Sequence, residues 1–441
     1  MALPLVAIVG RPNVGKSTIF NRILKDRLAI TDDQPGVTRD RIYGQAEWSG
    51  VEFNLIDTGG FIPDSEDLIE TMVREQAEVA IQEADVIMFV VDARLGVTSL
   101  DQEIAIRLLK QNKPVLLVVN KADNETIAAE SYEFYNLGLD DPFPISSTTG
   151  LNFGDFLDKL ISLLPPKQKD EETSALRVAI LGRPNVGKSS MVNFLAGKKR
   201  QIVTDIPGTT RDAIDLKVRF EDKEYVLVDT AGLRRKSKIK ENLEFFMSIR
   251  TLKALERSDV AALLIEGQLG LVNQDVQIIR EIANYGKPMV ICVNKWDLVQ
   301  KDTHTIDNFR REFEEKLPTL RYIPLYFMSA ISGKKVKGVF DILEHVYGES
   351  IKRIQTSQLN DFLRDIVAQR HPPAIQGKHI RLLYATQAES SPPTFIIFTN
   401  YPKLLRADYQ RYIENRVRDN FGFDGVPIKI IYKKRVSVKE Q

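Results

Sequence analysis

Cysteine is nearly absent from this chain. Its 441 residues include one, Cys292, so no internal disulfide can form, which fits a reducing compartment. Cys292 lies in the apolar run MVICV and reads as a small core residue. Histidine is scarce too: His304, His345, His371 and His379 show no metal-ligand spacing. Long apolar runs are also missing, and none approaches the roughly 18 residues needed to span a bilayer. The apolar stretch Leu3–Val9 has no basic residue before it and ends at Arg11, so it reads as a buried strand, not a secretory signal. The chain has almost no net charge, +1. That balance hides an asymmetry: residues 350–441 hold 16 Lys and Arg against 8 Asp and Glu, a surplus of +8, leaving −7 on the rest. A basic tail of this kind suits either a polyanionic partner or an ordinary solvated surface.

What is present is ordinary globular composition, 43% hydrophobic and 27% charged, at a length suited to roughly three domains of about 150 residues. The organisation comes from a repeat. GRPNVGKS occurs at Gly10–Ser17 and again at Gly182–Ser189, with Lys16 and Lys188 offset by 172. Thr38 and Thr210 of PGVTRD and PGTTRD share that offset, as do Asp57 and Asp229 of DTGG and DTAG. Asn120 of NKAD and Asn294 of NKWD are 174 apart. Four strings in one order at nearly constant offset mean that a whole domain is duplicated. In each copy, nearly continuous apolar runs alternate with helical segments, predicting an α/β fold with a mostly parallel sheet covered on both faces. The expected boundaries are a first domain over 1–165, a linker over 166–175, a second domain over 176–350 and a small α+β module over 351–441.

The repeated string carries recognisable chemistry. Gly-x-x-x-x-Gly-Lys-Ser after a strand and opening a helix is a phosphate-binding loop, whose main-chain N–H groups face the anion. The loop residues are Gly10, Arg11, Pro12, Asn13, Val14 and Gly15, and in the second copy Gly182, Arg183, Pro184, Asn185, Val186 and Gly187. Lys16 and Lys188 are expected to reach the β- and γ-phosphates, and Ser17 and Ser189 to bind Mg²⁺. Thr38 and Thr210 are candidate switch threonines for the same metal, which Asp57 and Asp229 would hold through water. In the strings Asp57-Thr58-Gly59-Gly60 and Asp229-Thr230-Ala231-Gly232, the last glycines could offer N–H to the γ-phosphate. Asn-Lys-x-Asp selects the base: Asp123 and Asp297 can accept paired bonds from guanine N1–H and its amino group, a donor pair that adenine lacks. Asn120 and Asn294 would hold the loop and contact the base, and Lys121 and Lys295 would pack on it. Ala122 and Trp296 fill the variable position. Ser146-Ser147 and Ser329-Ala330 would complete the base pocket through main-chain N–H groups.

These motifs, in this order, resemble the Era-type GTPases of the translation-factor class, and two such domains with a C-terminal module resemble the double-Era-like GTPases. Tyr384-Ala385-Thr386-Gln387, Pro392-Pro393-Thr394-Phe395, and Tyr409 with Arg411, Glu414 and Asn415 are similar to that family's KH-like tail. The resemblance covers essentially the whole chain. It implies a cytoplasmic, monomeric GTPase that uses GTP, GDP and Mg²⁺, associates with the large ribosomal subunit and its rRNA, assists assembly of that subunit and does not engage membranes. Phe61 and Leu233 stand where small signalling GTPases place the glutamine that orients water. Turnover should therefore be slow unless charge comes from elsewhere. The resemblance implies a K⁺ ion held with the help of Asn13 and Asn185. Three alternatives remain open. Leu233–Lys240, with five Lys and Arg in eight residues, is either a solvated loop or an RNA-contacting switch. The tail has no Gly-x-x-Gly clamp, so it either binds RNA, with Lys433-Lys434-Arg435 adding phosphate contacts, or docks on the second GTPase domain. One of the two domains could serve as a scaffold that only senses nucleotide.

Overall fold

The computed structural model describes residues 3–28, 43–57, 84–165, 175–197, 215–220, 223–228, 251–300, 302–375 and 377–434. These fall into two compact units, one holding the described residues up to 165 and the other those from 175 onward.

In the first unit, β1 (Leu5–Val9), β2 (Tyr43–Trp48), β3 (Val51–Asp57), β4 (Val86–Asp92), β5 (Val115–Asn120) and β6 (Phe143–Pro144) form one sheet in the order β2-β3-β1-β4-β5-β6. Every neighbouring pair is parallel except β2 with β3. Side chains alternate across the strands, so one apolar run feeds two cores. Val6, Ile8, Val86 and Met88 pack on one face with residues of α1 (Lys16–Leu28), and Ala7, Val9, Ile87 and Phe89 on the other with α2 (Ser99–Leu109). Thr98 caps α2 in a reciprocal box with Asp101, which satisfies end N–H groups that the helix cannot. The short α3 (Glu125–Glu130) follows β5, and α4 (Phe153–Ser162) closes the first core through Phe153, Phe156, Leu157 and Leu160.

The second unit repeats the plan with β7 (Leu176–Leu181), β8 (Leu216–Phe220), β9 (Lys223–Val228), β10 (Val260–Glu266), β11 (Met289–Asn294) and β12 (Leu325–Phe327), in the order β8-β9-β7-β10-β11-β12. Register repeats as well: Ala7 pairs with Ile56 as Ala179 pairs with Val228, and Asp92 with Asn120 as Glu266 with Asn294. Helices α5 (Lys188–Gly197), α6 (Asn273–Asn284), α7 (Thr305–Lys316) and α8 (Gly338–Ser350) follow.

The C-terminal module belongs to the same unit. Helices α9 (Thr356–Gln369) and α10 (Ala407–Phe421) accompany β13 (Leu382–Ser390), β14 (Pro393–Thr399) and β15 (Lys429–Lys434). The sheet is antiparallel between β13 and β14 and parallel between β14 and β15. One apolar core runs from Val260, Val290 and Leu343 of the second sheet domain to Phe362, Phe395 and Phe423 of the tail. The loop after α10 seals the seam. Gly425 N–H donates to Tyr322 O at 2.8 Å, Met289 N–H donates to Gly425 O at 2.8 Å, and the Arg418 guanidinium lies 3.6 Å from the Tyr322 ring centre. Of the two alternatives for the tail, docking on the second domain is therefore seen directly. Gln387 and Tyr409, two residues that carry the KH-like resemblance, have structural partners. The Gln387 side chain bonds to Ile354 N and Lys352 O, and the Tyr409 hydroxyl donates to Arg370 O at 2.6 Å. Arg435 lies outside the described residues, as do the segment 233–240 and residues 166–174 of the expected linker 166–175.

Candidate nucleotide-binding sites

Each site starts where β1 or β7 gives way to α1 or α5. Gly10 (φ +155°) leaves no room for a side chain, since a Cβ there would lie 2.3 Å from Val90 O. Gly15 (φ +93°) approaches Asn120 equally closely, with a Cβ 2.3 Å from its Nδ2. Gly182 and Gly187 repeat both constraints against Leu264 and Asn294. Asn13 and Asn185 are left-handed at φ 64° and 65°, a conformation that asparagine tolerates better than most residues.

Inside this turn, Lys16 is buried and donates to Gly10 O and Arg11 O, both at 2.8 Å. Lys188 does the same to Gly182 O and Arg183 O at 2.6 Å. An ammonium has three donors, so one remains for a phosphate oxygen. Burial lowers both lysines to about 8. At Lys16, nearby Asp57 pulls the value back up and Arg11 pushes it further down; at Lys188, Arg183 lowers it. Ser17 Oγ donates to Asp57 Oδ2 at 2.6 Å, which brings together two hard oxygen donors beside the lysine. A pair of oxygens next to a phosphate cradle suits Mg²⁺, which keeps few protein ligands and takes the rest from phosphate and water. In the second copy Ser189 is described but Asp229 is not. Thr38, Thr58, Gly59, Gly60, Phe61, Thr210, Thr230, Ala231, Gly232 and Leu233 also lie outside the described residues.

The base motifs follow β5 and β11. Asn120 Nδ2 donates to Val14 O at 2.8 Å, and Asn294 Nδ2 to Val186 O at 2.7 Å, so each asparagine ties the base motif to its phosphate loop. The Oδ1 atoms of the same residues accept Ser147 N–H at 3.0 Å and Ala330 N–H at 2.8 Å. The asparagines hold the loop as expected, and the Ser147 and Ala330 N–H groups, expected to face guanine, bond to them instead, bracing the pocket. Ser146 contributes through its hydroxyl, which donates to Asp123 Oδ1 at 2.6 Å. That bond first, and an ion pair with Arg94 after it, holds the Asp123 carboxyl below its ordinary pKa. Lys121 donates to Asp92 Oδ2 and Asn13 O, and Lys295 pairs with Glu266 at 2.9 Å. Ala122 is buried, Trp296 packs on Phe327 at 4.5 Å between ring centres, and Asp297 is exposed. Pro12 and Pro184 occupy the outer part of their loops; Pro184 is exposed.

Several contributors were not legible in the motifs. Arg11 pairs with fully buried Asp101 at 3.3 Å and Arg183 with Asp275 at 2.8 Å, joining each phosphate loop to the start of α2 or α6. Burial raises Asp275, and Arg183 opposes that shift. Both pairs recur at matching positions in the two copies, a signal that was present in the sequence. Arg22, in contrast, donates to Ser147 O at 2.9 Å and Thr148 O at 3.1 Å in the first copy alone; Phe194 takes the corresponding position in the second. Among the described residues, no cluster of His, Cys, Asp and Glu could hold a metal by itself, and no helix is long and apolar enough to cross a membrane.

Two domains with mostly parallel sheets, each with a lysine-centred glycine loop tied to an Asn-Lys-x-Asp turn, define a tandem P-loop GTPase. The family model described as "50S ribosome-binding GTPase" matches residues 5–121 and 177–295, and "KH-domain-like of EngA bacterial GTPase enzymes, C-terminal" matches 353–433. GTPase Der of Moorella thermoacetica is 48% identical, aligned over 98% of this chain and 99% of its own. GTPase Der of Clostridium perfringens is 46% identical over 99% and 100%, and that of Halothermothrix orenii 47% over 99% and 100%. Among solved structures, Aquifex aeolicus Era aligns at 21% identity over 75% of this chain and 93% of its own, with a TM-score of 0.31. The chain belongs to the Der family of ribosome-binding GTPases and is a GTP hydrolase.

Proposed function

We propose that the chain is a two-site GTP switch that acts in maturation of the large (50S) ribosomal subunit. The supporting observation is the duplicated brace, Asn120 to Val14 O and Asn294 to Val186 O, which couples a phosphate cradle to a guanine-reading carboxylate twice. In this reading the domains span 1–165, 176–350 and 351–441. Asp123 and Asp297 accept the N1–H and amino group of guanine. Lys16 and Lys188 keep two hydrogen bonds to their own loops and give the third to phosphate. Ser17 with Asp57, and Ser189 with Asp229, would hold Mg²⁺, with Thr38 and Thr210 joining them in the GTP state. Bound there, the metal neutralises charge on the transferring phosphoryl group. Gly60 and Gly232 donate N–H groups to the γ-phosphate. Asn13 and Asn185 help hold K⁺, which supplies charge that Phe61 and Leu233 cannot.

GTP orders the switches, the ribosome is engaged, and hydrolysis releases it. The basic tail would add rRNA phosphate contacts, whose mark is a steep loss of affinity with salt. A cytoplasmic monomer fits this work. Equilibrium binding tests the core of the reading: the wild-type chain should take up two GDP, and Lys16→Ala or Lys188→Ala should each take up one. The affected site should lose at least about thirtyfold in affinity, as expected when one partner of a buried charged pair is removed. Co-sedimentation with 50S particles in GTP, in GDP and without nucleotide tests the role. Equal pelleting in all three, or ATP binding as tight as GTP binding, would overturn it.

A further inference from the structure

The two carboxylate oxygens of Asp123 have different partners. Oδ1 accepts the Ser146 hydroxyl at 2.6 Å, and Oδ2 accepts Arg94 Nη2 at 2.5 Å. Ser146 is fully buried, and its oxygen also accepts Thr149 N–H at 3.0 Å, so that partner is built into the loop. The Arg94 side chain is 60% exposed and is the partner able to leave. Its main chain is anchored. Arg94 N–H donates to Asp92 Oδ1 at 3.0 Å, while Oδ2 of the same carboxylate holds Lys121 at 2.6 Å. One aspartate at the end of β4 thus sets both the arginine and the lysine of the base motif.

In the second copy the corresponding residue is Gln268. Its amide donates to Leu298 O at 3.0 Å, a neutral bond to main chain.

We propose that Arg94 sets the affinity of the first base pocket by competing with the donor edge of guanine for Asp123. Loading there exchanges one donor on the carboxylate for another. Any base that displaces Arg94 pays for the same broken ion pair, so the competition lowers affinity at this site and leaves the preference set by Asp123 unchanged. Guanine meets no such competitor at Gln268. The inference rests on Asp123 being the residue that reads guanine.

The test uses the full chain with the second site disabled by Lys188→Ala and a fluorescent GDP as probe. Arg94→Gln should tighten GDP binding about two- to fivefold, the range for an exposed ion pair. The gain should shrink as added salt screens that pair. In the Lys16→Ala background, Gln268→Arg should weaken the second site by a similar factor. Unchanged affinity in Arg94→Gln overturns the proposal; weaker binding overturns it too, because the arginine then packs on bound base. Asp123→Asn separates the two layers. If that variant trades GDP for XDP while Arg94→Gln stays silent, the competition alone is wrong. If Asp123→Asn keeps its GDP affinity, the guanine reading fails and the competition falls with it.

Discussion

The two proposed nucleotide sites agree closely around the glycine loop and diverge around the Asn-Lys-x-Asp turn. Lysine, loop glycines and bracing asparagine repeat with the same partners and nearly the same distances. At that turn, the first copy surrounds its carboxylate with Ser146, Arg94 and an Arg22-supported loop, whereas Asp297 is exposed. The pattern follows from chemistry. A phosphate cradle is main chain with no tolerance for a Cβ, while the base pocket is rimmed by side chains that can be exchanged without moving the strands.

The largest effects should test the likeness. Asp101→Ala and Asp275→Ala each strip a partly buried arginine of its fully buried counter-charge and should cost about 3 kcal/mol. Chemical unfolding should show comparable losses for the two variants, each in its own unit. A negligible loss in one would mean that its loop arginine is held by other contacts. Gly425→Ala tests the main asymmetry of the fold. The residue sits at φ +71° with a Cβ position 2.7 Å from Met289 O and 2.8 Å from Val346. Strain and clash should cost about 2–3 kcal/mol, lowering the transition of the second unit and leaving the first in place. If both transitions move, the seam is not confined to the second unit.

Smaller effects test the chemistry shared by both sites. Replacing Na⁺ with K⁺ should raise single-turnover hydrolysis about tenfold at both sites, below the roughly thousandfold or more that an arginine finger supplies. Asn13→Ala should remove the gain at the first site and Asn185→Ala at the second. Equal rates in the two salts would exclude the ion. The smallest signal is a proton. Lys16 and Lys188 sit near 8 because burial favours their neutral form, and an adjacent phosphate raises that value. Binding at pH 8 should therefore take up about half a proton per site, and affinity should fall as pH rises from 7 past 8. Calorimetry in buffers of differing ionisation enthalpy reads this directly. The sign for stability is the reverse. Between about 8 and 10.5 the unfolded chain binds more protons at these lysines, so their contribution to stability rises with pH.

Much of the molecule could be read from short strings because its chemistry is local. Strand LVAIV, loop GRPNVGKS and helix-opening lysine are contiguous, and the β1-to-α1 turn they form depends on glycine conformations encoded in the same eight residues. The apolar runs DVIMFVVD, PVLLVVN, TFIIF and PIKIIY all form strands, with small shifts at their ends. NKxD gives asparagines that hold a loop, but the string does not say which segments they join. Each asparagine spends its side-chain amide on two segments, one of them more than a hundred residues away. Cys292 is the buried residue its apolar run suggested, its thiol pushed up to about 12 by burial.

By itself, the sequence determined the duplication, the alternation of strand and helix, and the glycine loops and Asn-Lys-x-Asp turns on which the proposed nucleotide sites rest. Each of these rests on residues adjacent along the chain or on an offset that can be counted. Tertiary structure alone decided that the tail shares a core with the second domain and that Arg94 reaches Asp123 while Gln268 turns to Leu298. Such contacts join residues from separate loops, and which loops meet is set by strand order and register across the sheet, which no local string specifies.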